Sequence, residues 1–139
     1  MDPLTPFSII VADDDEEDRD LFRDIFQHDP HFDLEGCLTS GVEVFDEIIR
    51  KKNVPDVLLI DMYMPFFSGI DLIKALDEIH AAPTMYKFII STTTNVAENE
   101  PQLRSPYVVF LKKPVSMQEI NALPGVILSY LQQRISQVS

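Results

Sequence analysis

Five short apolar runs cross this 139-residue chain, and four of them hold no charged residue until they stop abruptly at a charged or hydroxyl-bearing one. Residues 7–12 read Phe-Ser-Ile-Ile-Val-Ala and end at Asp13-Asp14. Residues 57–60 read Val-Leu-Leu-Ile and end at Asp61. Residues 88–90 read Phe-Ile-Ile and end at Ser91, and residues 107–111 read Tyr-Val-Val-Phe-Leu and end at Lys112 and Lys113. Uninterrupted runs of this length read as strands buried on both faces. The fifth run, 32–38, sets Phe32, Leu34, Gly36 and Leu38 against Asp33, Glu35 and Cys37. That alternation suits an edge strand with one wetter face.

Helical patterns fill the gaps. Leu21, Phe22, Ile25 and Phe26 mark one helix face. Residues 41–52 turn Phe45, Ile48 and Ile49 inward, and residues 68–79 turn Ile70, Leu72, Ile73, Leu76 and Ile79 inward. Residues 96–103 form a weak pattern containing Pro101. The last pattern runs from Met117 to about Ser136 and is interrupted at Pro124-Gly125. A proline inside a helix costs ~3 kcal/mol or more, so a kink or two helices is expected there. Strands alternating with helices imply parallel β-α-β units with right-handed crossovers. The chain is too short for eight such units. The expected fold is therefore α/β, an open, doubly wound, five-stranded parallel sheet with helices on both faces. Residues 1–6 read as a lead-in, and residues 7–139 as a single domain.

The formal net charge of −12 argues against nucleic acid and an anionic membrane surface as partners, since both require a basic face. No stretch reaches the ~20 apolar residues of a membrane span. The first residues lack the basic and apolar regions of a signal peptide, so a cytoplasmic location is expected. One cysteine, Cys37, allows neither an internal disulfide nor a cysteine zinc site, and it reads as packing. His28 and His31 read as a polar turn and His80 as a helix end. Seven of the eight residues 13–20 are acidic. Asp15 to Asp18 read as first-turn acids favoured by the helix dipole. An EF-hand reading fails, because Asp18 stands where that loop needs glycine.

In doubly wound sheets the ligand site lies at the carboxyl ends of the strands. Here those ends bring Asp13, Asp14, Asp61, Ser91 and Lys113 to one crevice. Each has a plain reading alone, as a turn former or a solvated lysine. Together, three carboxylates make a hard oxygen cluster suited to Mg²⁺. Mg²⁺ with a lysine is equipment for phosphoryl transfer. A carboxylate can itself accept phosphate, and central Asp61 is the best candidate nucleophile.

At this point the chain resembles the receiver domain of two-component response regulators, of the stand-alone, chemotaxis-regulator-like type. Residues 9–14 resemble the family's apolar strand ending in an acidic pair. Asp61-Met62-Tyr63-Met64-Pro65-Phe66-Phe67-Ser68-Gly69 is similar to its phospho-acceptor motif, Asp-x-x-Met-Pro-x-x-(Asn/Ser/Asp)-Gly. Ser91 falls at the family's hydroxyl position and Lys113-Pro114 at its Lys-Pro pair. The resemblance implies a flavodoxin-like sheet of order 2-1-3-4-5. It implies that Asp61 takes phosphate from a histidine kinase or a phosphotransfer protein. It implies Mg²⁺ held by Asp13, Asp14, Asp61 and the Tyr63 backbone carbonyl. Lys113 and Ser91 would contact the phosphoryl group, and Phe110 would be the aromatic switch. The response would shift the face built from the fourth helix, fifth strand and fifth helix toward an unknown downstream protein, with the chain a monomer or weak dimer and not otherwise an enzyme. Pro106-Tyr107, Thr92 and Pro124-Gly125 depart from the family's pattern, all on that output face. Two alternatives remain: a receiver-like binding module that takes no phosphate, and a phosphatase with an aspartate nucleophile. The phosphatase reading lacks its general acid, because Tyr63 stands where a second aspartate belongs.

Overall fold

A computed structural model of the chain describes residues 5–92, 103 and 105–138. In chain order the elements are β1 (Phe7–Ala12), α1 (Glu16–Gln27), β2 (Phe32–Leu38), α2 (Gly41–Ile49), β3 (Val57–Asp61), α3 (Gly69–Glu78), β4 (Tyr86–Ser91), β5 (Val108–Lys112) and α4 (Met117–Val138). All strand pairings are parallel, and the order is β2-β1-β3-β4-β5. This is the doubly wound sheet that the apolar runs imply. The weak helical pattern at 96–103 lies outside the described residues, apart from Leu103, which is buried.

Alternate side chains of each strand enter opposite layers. Ile10, Leu58, Ile60 and Ile89 pack beneath Val44 and Ile48 of α2 and Leu72 and Leu76 of α3. Ile9, Val11, Leu59, Phe88 and Ile90 pack against Phe22 and Phe26 of α1 and Leu123, Ile127 and Leu131 of α4. Two apolar layers thus clamp the sheet, which fixes where every strand ends. No helix among the described residues is long and apolar enough to cross a membrane.

Three details differ from the sequence reading. First, β2 does not alternate throughout. Ile9 pairs with Leu34 but Ile10 pairs with Gly36, so Glu35 is an extra residue. This bulge turns Cys37 onto the layer of Phe32 and Leu34, while Leu38 faces the opposite layer. An edge strand tolerates the insertion because its outer side has no ladder to disrupt. Cys37 is half-buried, and that burial pushes its thiol up. Second, of the kink or two helices expected at Pro124, the two-helix form is not adopted: α4 is one helical element containing Pro124. Pro124 is buried on the face that carries Ile120, Leu123 and Ile127, so packing outweighs the lost hydrogen bond. Third, Ile79 is exposed, because α3 ends at Glu78 and His80 reverses the chain with a φ of 54.

Candidate functional site

The carboxyl ends of β1, β3, β4 and β5 do meet. Asp13 follows β1 and is fully buried; its N–H continues the ladder to the Leu38 carbonyl at 3.1 Å. Asp61 ends β3 at 5% exposure, and Ser91 ends β4 at 3%. Lys113 follows β5, and its backbone N–H donates to the Ser91 carbonyl at 2.8 Å. Asp14 is exposed beside them. One carboxylate oxygen each from Asp13, Asp14 and Asp61 lies within 4.8 Å of the others. The Lys113 Nζ donates to Asp61 Oδ2 at 2.8 Å and lies 3.4 Å from Asp13 Oδ2.

Local structure holds these groups still. The Tyr63 N–H donates to Asp61 Oδ1 at 3.0 Å, and the Asp15 N–H donates to Asp13 Oδ1 at 2.9 Å. Asp15 caps α1, accepting from the N–H groups of Glu17 and Asp18. Ser68 caps α3 in the same way, accepting from Asp71 N. The ring of Tyr63 stands at the lip, 55% exposed. Phe110 is not in this cluster. It lies half-buried on β5 opposite Ile89, on the layer of α2 and α3.

Two contributors go beyond the sequence reading. The Asp18 carboxylate pairs with Lys113 Nζ at 2.8 Å. The Arg19 guanidinium donates to the Asp13 carbonyl at 2.9 Å and pins the end of β1. The signal for Asp18 is its position: side chains lean toward a helix's N-terminus, so a third-position acid overhangs the preceding strand end.

The electrostatics is that of several carboxylates gathered around one ammonium. Burial pushes the Asp13 carboxyl up to about 6 from 3.8; the Asp15 N–H opposes this, while the Asp61 charge adds to it. Burial alone would depress the Lys113 amine, but hydrogen bonds to Asp18 and Asp61 and the Asp13 charge hold it well above the ordinary lysine value. A raised carboxyl value means that the folded state binds more protons than the unfolded chain between pH 3.8 and about 6. Stability therefore falls as pH rises through that window, and the penalty is complete above it. The shift sets an upper limit of about 3 kcal/mol, which sharing within the cluster reduces. We expect Asp13→Asn to stabilise the protein by about 1–2 kcal/mol in chelator at pH 7 and by little at pH 4. Urea unfolding at both pH values tests this; an equal effect at both would refute it.

Comparison with known proteins decides the family. The model of the response regulator receiver domain matches residues 9–123. The chain belongs to that family. Receiver domains are signalling modules that bind Mg²⁺ at an acidic pocket and are phosphorylated by histidine kinases or phosphotransfer proteins. Asp13, Asp14 and Asp61 form an acidic cluster in this receiver domain. A protein-glutamate methylesterase/protein-glutamine glutaminase 2 of Pseudomonas aeruginosa is 34% identical over 110 residues, covering 78% of this chain and 30% of that protein. The chain spans about a third of the length of this and a second such methylesterase, from Saccharophagus degradans, of which it covers 31%. An uncharacterized 14.6 kDa protein of Leptolyngbya boryana is 26% identical, with 86% of this chain and 88% of that one covered. Among solved structures, the response regulator domain of Thermotoga maritima CheB superposes with a TM-score of 0.73 at 27% identity, covering 94% of this chain and 97% of that one.

Proposed function

We propose that this receiver domain takes a phosphoryl group on Asp61 from a histidine kinase or phosphotransfer protein, in a Mg²⁺-dependent step. The observation that carries the reading is Asp61 itself. It is a buried carboxylate with one oxygen 2.8 Å from Lys113 Nζ and the other on the Tyr63 N–H, within the Asp13 and Asp14 pocket. The residues fit Mg²⁺. Asp13, Asp14 and Asp61 offer hard oxygen ligands, and Asp13 carries a charge that its burial disfavours. Those three and the Tyr63 backbone carbonyl would hold the ion, which supplies charge neutralisation for the transferring phosphoryl group.

An Asp61 oxygen attacks phosphorus. The bond from phosphorus to the donor nitrogen breaks, its electron pair stays on the imidazole, and that nitrogen regains a proton. Asp61 becomes a mixed anhydride of a carboxylic and a phosphoric acid. Lys113 meets the charge on the phosphoryl oxygens as a point charge, and the Ser91 hydroxyl hydrogen-bonds another of them. Phe110 then repacks with the shift of Ser91, so that the phosphorylated state favours a different arrangement of the β4–β5 face for a downstream protein. The chain's own chemistry on this reading is its phosphorylation and dephosphorylation.

Incubation with a small acyl-phosphate donor and Mg²⁺, followed by intact mass, tests this. The wild-type chain should gain one phosphoryl group with Mg²⁺ and none in chelator. No gain from any acyl phosphate or histidine kinase would favour a receiver-shaped binding module instead.

A further inference from the structure

Asp18 has no part in that reading, yet its carboxylate is as close to Lys113 as the phospho-acceptor is. The ammonium lies 2.8 Å from Asp18, 2.8 Å from Asp61 and 3.4 Å from Asp13. A lysine has three donors, and three carboxylates share them. Asp18 is not in the oxygen cluster of Asp13, Asp14 and Asp61. It faces the lysine from the first turn of α1, only 28% exposed, so solvent screens the pair less than it would at an open surface.

Phosphorylation alters this balance in one direction. Asp61 exchanges a single charge for an acyl phosphate carrying roughly one to two. Lys113 must then turn toward the phosphoryl oxygens. Asp18 competes for the same ammonium, and once it loses that partner it repels the new charge. Both effects oppose the phosphorylated state. Resting on the phospho-acceptor reading of Asp61, we propose that Asp18 is a positioning residue, a latch on Lys113 that limits how readily Asp61 gains and keeps a phosphoryl group.

Asp18→Asn keeps the shape and removes the charge. It should raise the uptake rate from an acyl-phosphate donor, or the lifetime of the product, by on the order of tenfold in their combined effect. Asp18→Glu should restore wild-type behaviour, and the Asn effect should shrink in a chain that also carries Lys113→Met. A second readout needs no donor: Mg²⁺-dependent binding of trifluoroberyllate, a phosphoryl mimic, should tighten in Asp18→Asn by a similar factor. A purely structural tether between α1 and the end of β5 would lower thermal stability and leave rate, lifetime and trifluoroberyllate affinity unchanged. If the wild type is phosphorylated and Asp18→Asn matches it in all three, the latch is wrong while the phospho-acceptor reading stands. If the wild type takes neither phosphate nor the mimic, both fall.

Discussion

Asp61→Asn is expected to gain no phosphoryl group under conditions that load the wild-type chain. An amide oxygen is a far weaker nucleophile than a carboxylate, and its phosphorylated product is not stable. The substitution should leave the fold in place. The Asn oxygen still accepts from the Tyr63 N–H, which lies 3.0 Å from Asp61 Oδ1. Lys113 keeps Asp18 at 2.8 Å and Asp13 at 3.4 Å as partners. Intact mass of both chains after equal exposure to donor and Mg²⁺ is the check, with far-ultraviolet circular dichroism as the control for folding. A full phosphoryl gain in the variant would mean that a neighbour such as Asp13 is the acceptor.

Gly69→Ala should damage the fold and the site together. A Cβ built on Gly69 would sit 2.8 Å from the Asp61 carbonyl oxygen and 3.2 Å from the Met62 Cα. Both are backbone atoms of the strand end, so neither can rotate away. Gly69 is also hydrogen-bonded there, its N–H donating to the Met62 carbonyl at 3.0 Å. Its φ is not positive, so space alone demands the glycine. Overpacking of this kind costs roughly 3 kcal/mol. Moving the Asp61 backbone also misaligns the nucleophile, and phosphoryl uptake should slow by on the order of a hundredfold. Urea unfolding and uptake rates should fall together. An unchanged midpoint would show that α3 can slide back without disturbing β3.

What the sequence made legible follows from how buried parallel strands are built. Val57 to Ile60 are apolar without a gap because both faces of β3 are covered, so the polar residue after them is conspicuous. The same contrast exposes Asp13, Ser91 and Lys113, and hence most of the site. Less legible is whatever depends on a single inserted residue or on packing at a distance. The bulge at Glu35 leaves no mark in composition, yet it exchanges the faces of Cys37 and Leu38. Pro124 breaks isolated helices, and only the apolar layer beneath α4 explains why the helix continues. Asp18 is indistinguishable by type from Glu16 and Glu17 beside it; only its direction from the helix separates an electrostatic partner of Lys113 from two solvated acids.

The main-chain hydrogen bond from Lys113 to Ser91 links two neighbouring strands at the mouth of the crevice. On the phospho-acceptor reading, it joins the hydroxyl and the ammonium that recognise a phosphoryl group into one rigid bracket. If one arm is drawn inward, the other is carried with it. Such a bracket engages both contacts or neither, so the signal leaving β4 and β5 should be a step rather than a gradient.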